Sequence, residues 1–153
     1  MITHAPIRSS DVDDLDRMMR VNLRGAYCIT QELLPQLIEN AGDIVFVNSL
    51  VTQFPRAMSG QYAATKHALI GFANSLREEV NDLGVRVLSI YPGKTATPGQ
   101  ERLCREAGEP YRPEFMLDPQ DVAEMLVGAL KLPRRAEVTE IRMRPSAKPP
   151  GKQ

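Results

Sequence analysis

The sequence has no tryptophan, only two cysteines, few aromatic residues (5% of the chain) and a net charge of zero, with 19 basic and 19 acidic side chains. Each shortage excludes something. Cys28 and Cys104 lie far apart in sequence. They give neither a disulfide framework nor a metal-ligand spacing, and the expected compartment is the reducing cytoplasm. Balanced charge argues against a broad basic surface for nucleic acid or anionic lipid. No apolar run approaches the ~20 residues that span a bilayer. The first residues, MITHAPIRSSDVDD, lack the apolar core of a secretory signal. The ten glycines never fall two apart, so no G-x-G occurs anywhere. What is present is an ordinary globular composition: 153 residues, 42% hydrophobic and 25% charged, enough for one domain with a packed core.

Along the chain, residues 1–10 form an N-terminal loop. Leu15, Met18, Met19, Asn22, Leu23, Ala26, Ile29, Thr30 and Leu33 recur at three- and four-residue steps, predicting a helix over 11–39 with Ser10 or Asp11 as cap. Pro35 should bend or loosen its end. Ile44 to Val47 is an unbroken apolar run, a strand buried on both faces. A second helix is expected over 60–82, with Gly84 in the left-handed position that closes it. Val85 to Tyr91 forms a second strand, stopped by Pro92-Gly93. Residues 94–117 are expected to be a long irregular loop. Asp118 and Pro119 open a third helix over 119–131, with Asp121 at its third position. Ala136 to Met143 gives a last strand, and 146–153 a disordered tail. Helices and strands in alternation imply an α/β fold with three parallel strands and right-handed crossovers.

Several residues in this frame carry chemistry. Tyr62 and Lys66 are four apart on a helix and share a face. A cation beside a phenol favours the phenolate, and a tyrosine so tuned works as general acid or base near neutral pH. Such a pair is also an ordinary exposed helix pair in many chains. Ser49 stands at the end of a strand, thirteen positions before Tyr62. Open parallel sheets bind ligands at strand ends, although a serine there also makes common turns. Asn22 lies inside a helix, where its side chain competes for backbone groups, a local conflict that hints at function. Pro92-Gly93 either admits a flat ring close to the backbone, with Thr95 and Thr97 offering hydroxyls, or simply ends the strand.

Taken together, VNLRG, IVFVNS, QYAATKHAL and SIYPGKTATP, in this order and with these gaps, resemble the short-chain dehydrogenase/reductases. The resemblance runs from about residue 11 to 145 and extends to the closing helix and EVTEIRMRP. It implies an α/β, partial Rossmann-type doubly wound sheet, with 11–145 as the C-terminal portion of one oxidoreductase domain. It also implies NAD(P)-dependent hydride transfer between nicotinamide and a carbonyl or hydroxyl substrate. Tyr62 would be the general acid/base, and Lys66 would lower its pKa and bond the nicotinamide ribose. Ser49 would hold the substrate oxygen, and Asn22 a water linking Lys66 to solvent. Pro92, Gly93 and Thr95 would line the nicotinamide, with Thr97 reaching its carboxamide or the phosphates, and the segment 96–117 would close over the substrate. The helices 11–39 and 60–82 would form a homodimer face.

The family's Gly-rich turn, its Asn-Asn-Ala-Gly strand end and the residue that selects NAD or NADP have no counterpart in this sequence. The expectation is therefore an edge left bare beside strand 44–48, and a chain that is poorly soluble or oligomeric. A truncated, inactive fragment or a dimerising interaction protein is the alternative to an active enzyme.

Overall fold

The computed structural model describes residues 1–147; most of the tail expected to be disordered, 148–153, lies outside the described residues. The elements are α1 (Val12–Met19), a five-residue π turn (Arg20–Arg24), α2 (Gly25–Glu39), β1 (Asp43–Val47), α3 (Gly60–Val80), β2 (Arg86–Pro92), α4 (Pro98–Glu106), α5 (Pro119–Leu130) and β3 (Glu140–Met143). The three strands form one parallel sheet in the order β1-β2-β3. Asp43 pairs with Arg86 at one end of the β1–β2 ladder and Val47 with Ile90 at the other.

The core forms where α3 crosses the sheet. Leu69, Ala73, Leu76 and Val80 recur at three- and four-residue steps and bury themselves on Ile44, Phe46, Val85 and Val87. Phe72 joins this face to α2, its ring 5.5 Å from Phe46 and 5.3 Å from Tyr27. β2 is central and buried on both faces from Val87 to Tyr91. β1 departs from the expected double burial. Among the described residues it pairs only with β2; Ile44 and Phe46 are buried while Val47 is 56% exposed.

Capping explains most of the boundaries. The Asp11 side chain accepts from the Asp13 N–H at 2.9 Å and starts α1. Asp118 accepts from the Gln120 N–H at 2.8 Å, and Asp121 returns the favour to the Asp118 N–H at 3.4 Å. Gly84 closes the turn after α3 at φ 81°, a left-handed conformation that a side chain would strain.

Four further expectations change. The helix 11–39 is broken by the π turn that carries Asn22, and it then continues through Pro35 to Glu39. The expected loop 94–117 contains α4, because Thr97 caps it at 3.2 Å through the Gln100 N–H and Pro98 sits at its first position. The last strand is only Glu140–Met143. Ahead of it the Glu137 carboxylate, rather than a backbone carbonyl, takes the Val87 N–H at 2.9 Å, so the side chain replaces the ladder there. Finally, 1–10 is not wholly irregular: Ile7–Ser9 makes one 3-10 turn. Among the described residues no helix is long and apolar enough to cross a membrane, and no cluster of side chains suits a metal ion.

Candidate active site at the carboxyl end of β1

The end of β1, the first turns of α3 and the π turn meet at one place. Ser49 follows the strand in extended backbone (φ −160°), and its hydroxyl accepts from the Val51 N–H at 3.2 Å, starting a short 3-10 turn. This turn holds the hydroxyl near α3. Tyr62 lies half-buried in the first turn of that helix. Burial pushes its phenol above the usual value of 10.0, and the neighbouring Ser49 hydroxyl partly offsets the rise.

Lys66, one turn on, shares the face as its spacing requires. Its ammonium lies 5.9 Å from the centre of the Tyr62 ring and donates to the Val47 carbonyl at 2.8 Å. The Asn48 N–H, on the same peptide unit, points the other way, to the Ile90 carbonyl of β2 at 2.7 Å. The carbonyl that Lys66 holds therefore faces away from β2, on the open edge of the sheet. Burial lowers the Lys66 pKa from 10.5. The expected depression of the Tyr62 pKa by Lys66 is thus absent from this arrangement, because the ammonium is engaged at the strand edge and desolvation governs the phenol.

Asn22 is buried, 8% exposed, inside the π turn. Its amide donates to the Thr65 hydroxyl at 3.1 Å, and Thr65 donates to the Tyr62 carbonyl at 2.8 Å. The wide turn accommodates an asparagine that a regular helix would disfavour, and it directs the amide across to α3. The Asn22 amide also donates to the Met1 carbonyl at 2.8 Å.

Thr65 and Asn48 were not singled out in the sequence. Asn48 is 3% exposed; its side chain accepts from the Ser49 N–H at 3.0 Å and donates to the Lys66 carbonyl at 3.3 Å, tying the serine to the helix. The available signal was one of adjacency, each polar residue standing next to a chemical one in an otherwise apolar run.

Pro92, Gly93, Thr95 and Thr97 lie at and just beyond the end of β2. Pro92 ends the strand opposite Met143. The Gly93 N–H donates to the Met143 carbonyl at 2.8 Å. A Cβ on Gly93 would lie 3.2 Å from the Pro145 ring and 3.3 Å from the Met143 carbonyl, so a side chain here would crowd the segment that follows β3. Thr95 turns its hydroxyl onto the Gly93 carbonyl at 3.1 Å, and its backbone bridges to Leu117. Thr97 spends a lone pair on the cap of α4, leaving its hydroxyl proton free to donate.

Comparison with known proteins gives one consistent answer. The family model described as short chain dehydrogenase matches residues 1–107. An uncharacterized short-chain type dehydrogenase/reductase of Sinorhizobium fredii is 31% identical over 138 residues, 88% of this chain and 56% of that protein. The oxidoreductase UcpA of Escherichia coli is 33% identical over 131 residues, 84% of this chain and 47% of its own length. Among solved structures, serine dehydrogenase from Escherichia coli superposes with TM-score 0.79 at 25% identity, over 95% of this chain and 60% of that one. An alcohol dehydrogenase from Thermococcus sibiricus, complexed with 5-hydroxy-NADP, gives TM-score 0.83 at 23% identity, over 99% and 62% respectively. The chain thus spans about half the length of the curated relatives it matches.

Proposed function

The chain belongs to the short-chain dehydrogenase family, and from that premise we propose that it carries the proton-transfer half of an NAD(P)-dependent oxidoreductase acting on a carbonyl or alcohol substrate. The observation that supports this reading most directly is the convergence of Ser49, Tyr62 and Lys66 at the carboxyl end of β1. Strand ends are where open parallel sheets bind ligands.

In carbonyl reduction the Tyr62 hydroxyl gives its proton to the substrate oxygen, and the Ser49 hydroxyl donates a hydrogen bond to the same atom. A phenol held protonated by burial suits that direction. In alcohol oxidation Tyr62 must first lose its proton. Lys66 helps only by leaving the Val47 carbonyl and turning its ammonium towards the phenol, where it favours the phenolate. Asn22, through Thr65, fixes the turn from which Tyr62 projects. Its bond to Thr65 leaves it a positioning role here, beside the proton-relay role that the resemblance implies.

The donor set fits the nicotinamide-ribose end of NAD or NADP. Lys66 and Tyr62 stand at the strand end to bond the ribose, and Pro92, Gly93, Thr95 and Thr97 form the adjoining wall. A bound nicotinamide supplies the hydride. Neighbouring structures include a serine dehydrogenase complexed with NADP+ and a 3-ketoacyl-(acyl-carrier-protein) reductase complexed with NADH. No residue of this sequence is assigned to the pyrophosphate, because no G-x-G turn occurs in it. The second reading is an inactive fragment or a dimerising partner of an intact relative.

The test is turnover of a panel of ketones and alcohols by the purified chain with NADH, NADPH and their oxidised forms. The oxidoreductase reading expects cofactor-dependent turnover that falls by about 10²–10⁴ in Tyr62→Phe, the usual worth of a general acid or base. Absence of turnover, together with co-purification of a longer family member, would favour the second reading.

A further inference from the structure

Asn48 is the first residue past β1 and is 3% exposed. Its N–H continues the strand's ladder to the Ile90 carbonyl of β2 at 2.7 Å. Its side chain makes two further bonds. Oδ1 accepts from the Ser49 N–H at 3.0 Å, and Nδ2 donates to the Lys66 backbone carbonyl at 3.3 Å. A planar amide puts an acceptor and a donor on one short side chain; a carboxylate offers acceptors alone and an aliphatic chain neither. Both bonds belong to a buried residue, so losing them leaves groups unpaired away from water.

These bonds differ in kind from the others that hold Ser49. Its hydroxyl accepts from the Val51 N–H at 3.2 Å, and its carbonyl accepts from the Thr52 hydroxyl at 2.9 Å and the Thr52 N–H at 3.3 Å. Val51 and Thr52 belong to the same short turn, Leu50–Thr52. They fix the shape of the turn but not its distance from α3. The covalent path from Ser49 to Tyr62 runs through the exposed residues 53–58 and does not fix that distance either. Among the described residues, two side-chain bonds cross from the strand end to α3: Lys66 Nζ to the Val47 carbonyl at 2.8 Å, and Asn48 Nδ2 to the Lys66 carbonyl. The first must break whenever the ammonium turns towards the phenol or a ribose. The second need not, because it holds the backbone of Lys66 and leaves its side chain free to move.

We infer that Asn48 is a positioning residue for the proposed reaction, keeping the Ser49 hydroxyl in register with Tyr62 while the Lys66 ammonium moves. With a lone pair given to the Val51 N–H, the Ser49 hydroxyl still has its proton to donate. The substrate oxygen must receive that bond at the same place where Tyr62 gives its proton, and a misplacement of about 1 Å can cost about 10²-fold in rate. This inference rests on the oxidoreductase reading for the reaction itself, while the coupling of Asn48 to Tyr62 through Ser49 can be measured without turnover.

The test is a double-mutant cycle between Asn48 and Ser49. Asn48→Leu removes both side-chain bonds at similar volume. Asn48→Ser, a smaller polar change, replaces it if the apolar variant does not fold. Asn48→Leu should lower kcat about 10–100-fold and move KM by no more than about twofold, the pattern of an interaction made in the transition state. Ser49→Ala should lower kcat about 100-fold, the worth of one donor to a developing oxyanion. The double variant should be no slower than Ser49→Ala, because no hydroxyl is left to position. Losses that multiply would mean that Asn48 acts through the fold at large and would overturn the inference, as would an unchanged kcat in Asn48→Leu. The same cycle is read without turnover by NMR of protein labelled with 13C at the tyrosine Cζ; the chain has four tyrosines, and Tyr62→Phe assigns the signal. Asn48→Leu should move the Tyr62 signal when Ser49 is present and leave it in place in the Ser49→Ala background. A signal that moves equally in both backgrounds, or in neither, overturns the inference even in a chain that turns over. A parent without turnover whose Tyr62 signal follows the expected cycle would instead sink the oxidoreductase reading and leave the coupling standing.

Discussion

At the scale of single residues, the environment of Tyr62 sets a pH dependence whose sign can be worked out. Burial raises its pKa above 10.0. Reduction uses the protonated phenol, so its rate should stay level through neutral pH and fall only above that value. Oxidation uses the phenolate, so its rate should climb as pH rises. If Lys66 moves from the Val47 carbonyl to the phenol during the reaction, the climb begins at lower pH. Lys66→Met should then shift the oxidation limb upward and cut turnover about 100-fold. A pH–rate profile of the variant superimposing on that of the parent would show that Lys66 does not tune Tyr62. Spacing alone made this pair legible, because residues four apart on a helix must share a face. The position of the ammonium was not legible. It depends on which carbonyl is unpaired at the strand edge, and the sequence of α3 carries no trace of that. Gly93→Ala should force the ends of β2 and β3 apart and destabilise the chain by roughly 1–3 kcal/mol, the cost of overpacking, measured by urea denaturation.

At the scale of elements, the sheet is clipped at the end opposite the site. Arg86 on β2 bonds Asp43 on β1 through two nitrogens, at 2.7 and 3.2 Å, and its remaining donors reach the carbonyls of Leu130, Leu132 and Ala136. The C-terminus of α5 is thereby tied to the first two strands, and Arg134 adds a more exposed contact to Asp43 at 2.8 Å. The Arg86 hydrogen bond, against an opposing contribution from burial, holds the Asp43 carboxyl below its ordinary 3.8. A carboxylate with a lowered folded-state pKa contributes stability that is complete above the ordinary value and is lost as pH falls through the lower one. Asp43→Asn should cost roughly 1.5–3 kcal/mol at neutral pH, the worth of hydrogen bonds to a charged group. The gap from the parent should close as pH drops below about 4. A gap that persists unchanged at lower pH would assign the loss to packing instead. None of this clip was visible in the sequence, since Asp43 and Arg86 are unremarkable charges at strand starts. Capping was the more readable signal. Asp118 with Pro119 marked α5, and the same chemistry at Thr97-Pro98 marked α4, but the glycines and prolines of 94–117 obscured it. The π turn could not be inferred from periodicity either, because one inserted residue leaves the apolar stripe nearly intact.

At the scale of the whole molecule, we propose that the chain self-associates. Among the described residues β1 pairs only with β2, and Val47 at its end is 56% exposed. Val21, Ile29 and Leu33 are also exposed on the π turn and α2, at 55%, 62% and 45%. A bare strand edge can pair with another chain, and an apolar helix face can pack against its own copy about a two-fold axis. The two routes predict different sensitivities. If α2 and α3 form the interface, as the resemblance implies, Ile29→Lys should yield a monomer in sedimentation velocity while Val47→Lys leaves the dimer in place. If the edge of β1 is responsible, the effects should reverse, and the product is again a dimer, because antiparallel pairing of β1 with its own copy closes about a two-fold axis. The helix face is the expected route, because Lys66 already occupies the outermost carbonyl of β1, as charged side chains do at protected edges. A parent chain that sediments as a monomer at micromolar concentration and melts sharply and reversibly would count against both routes, and would mean that the exposed apolar residues are too scattered to form a patch.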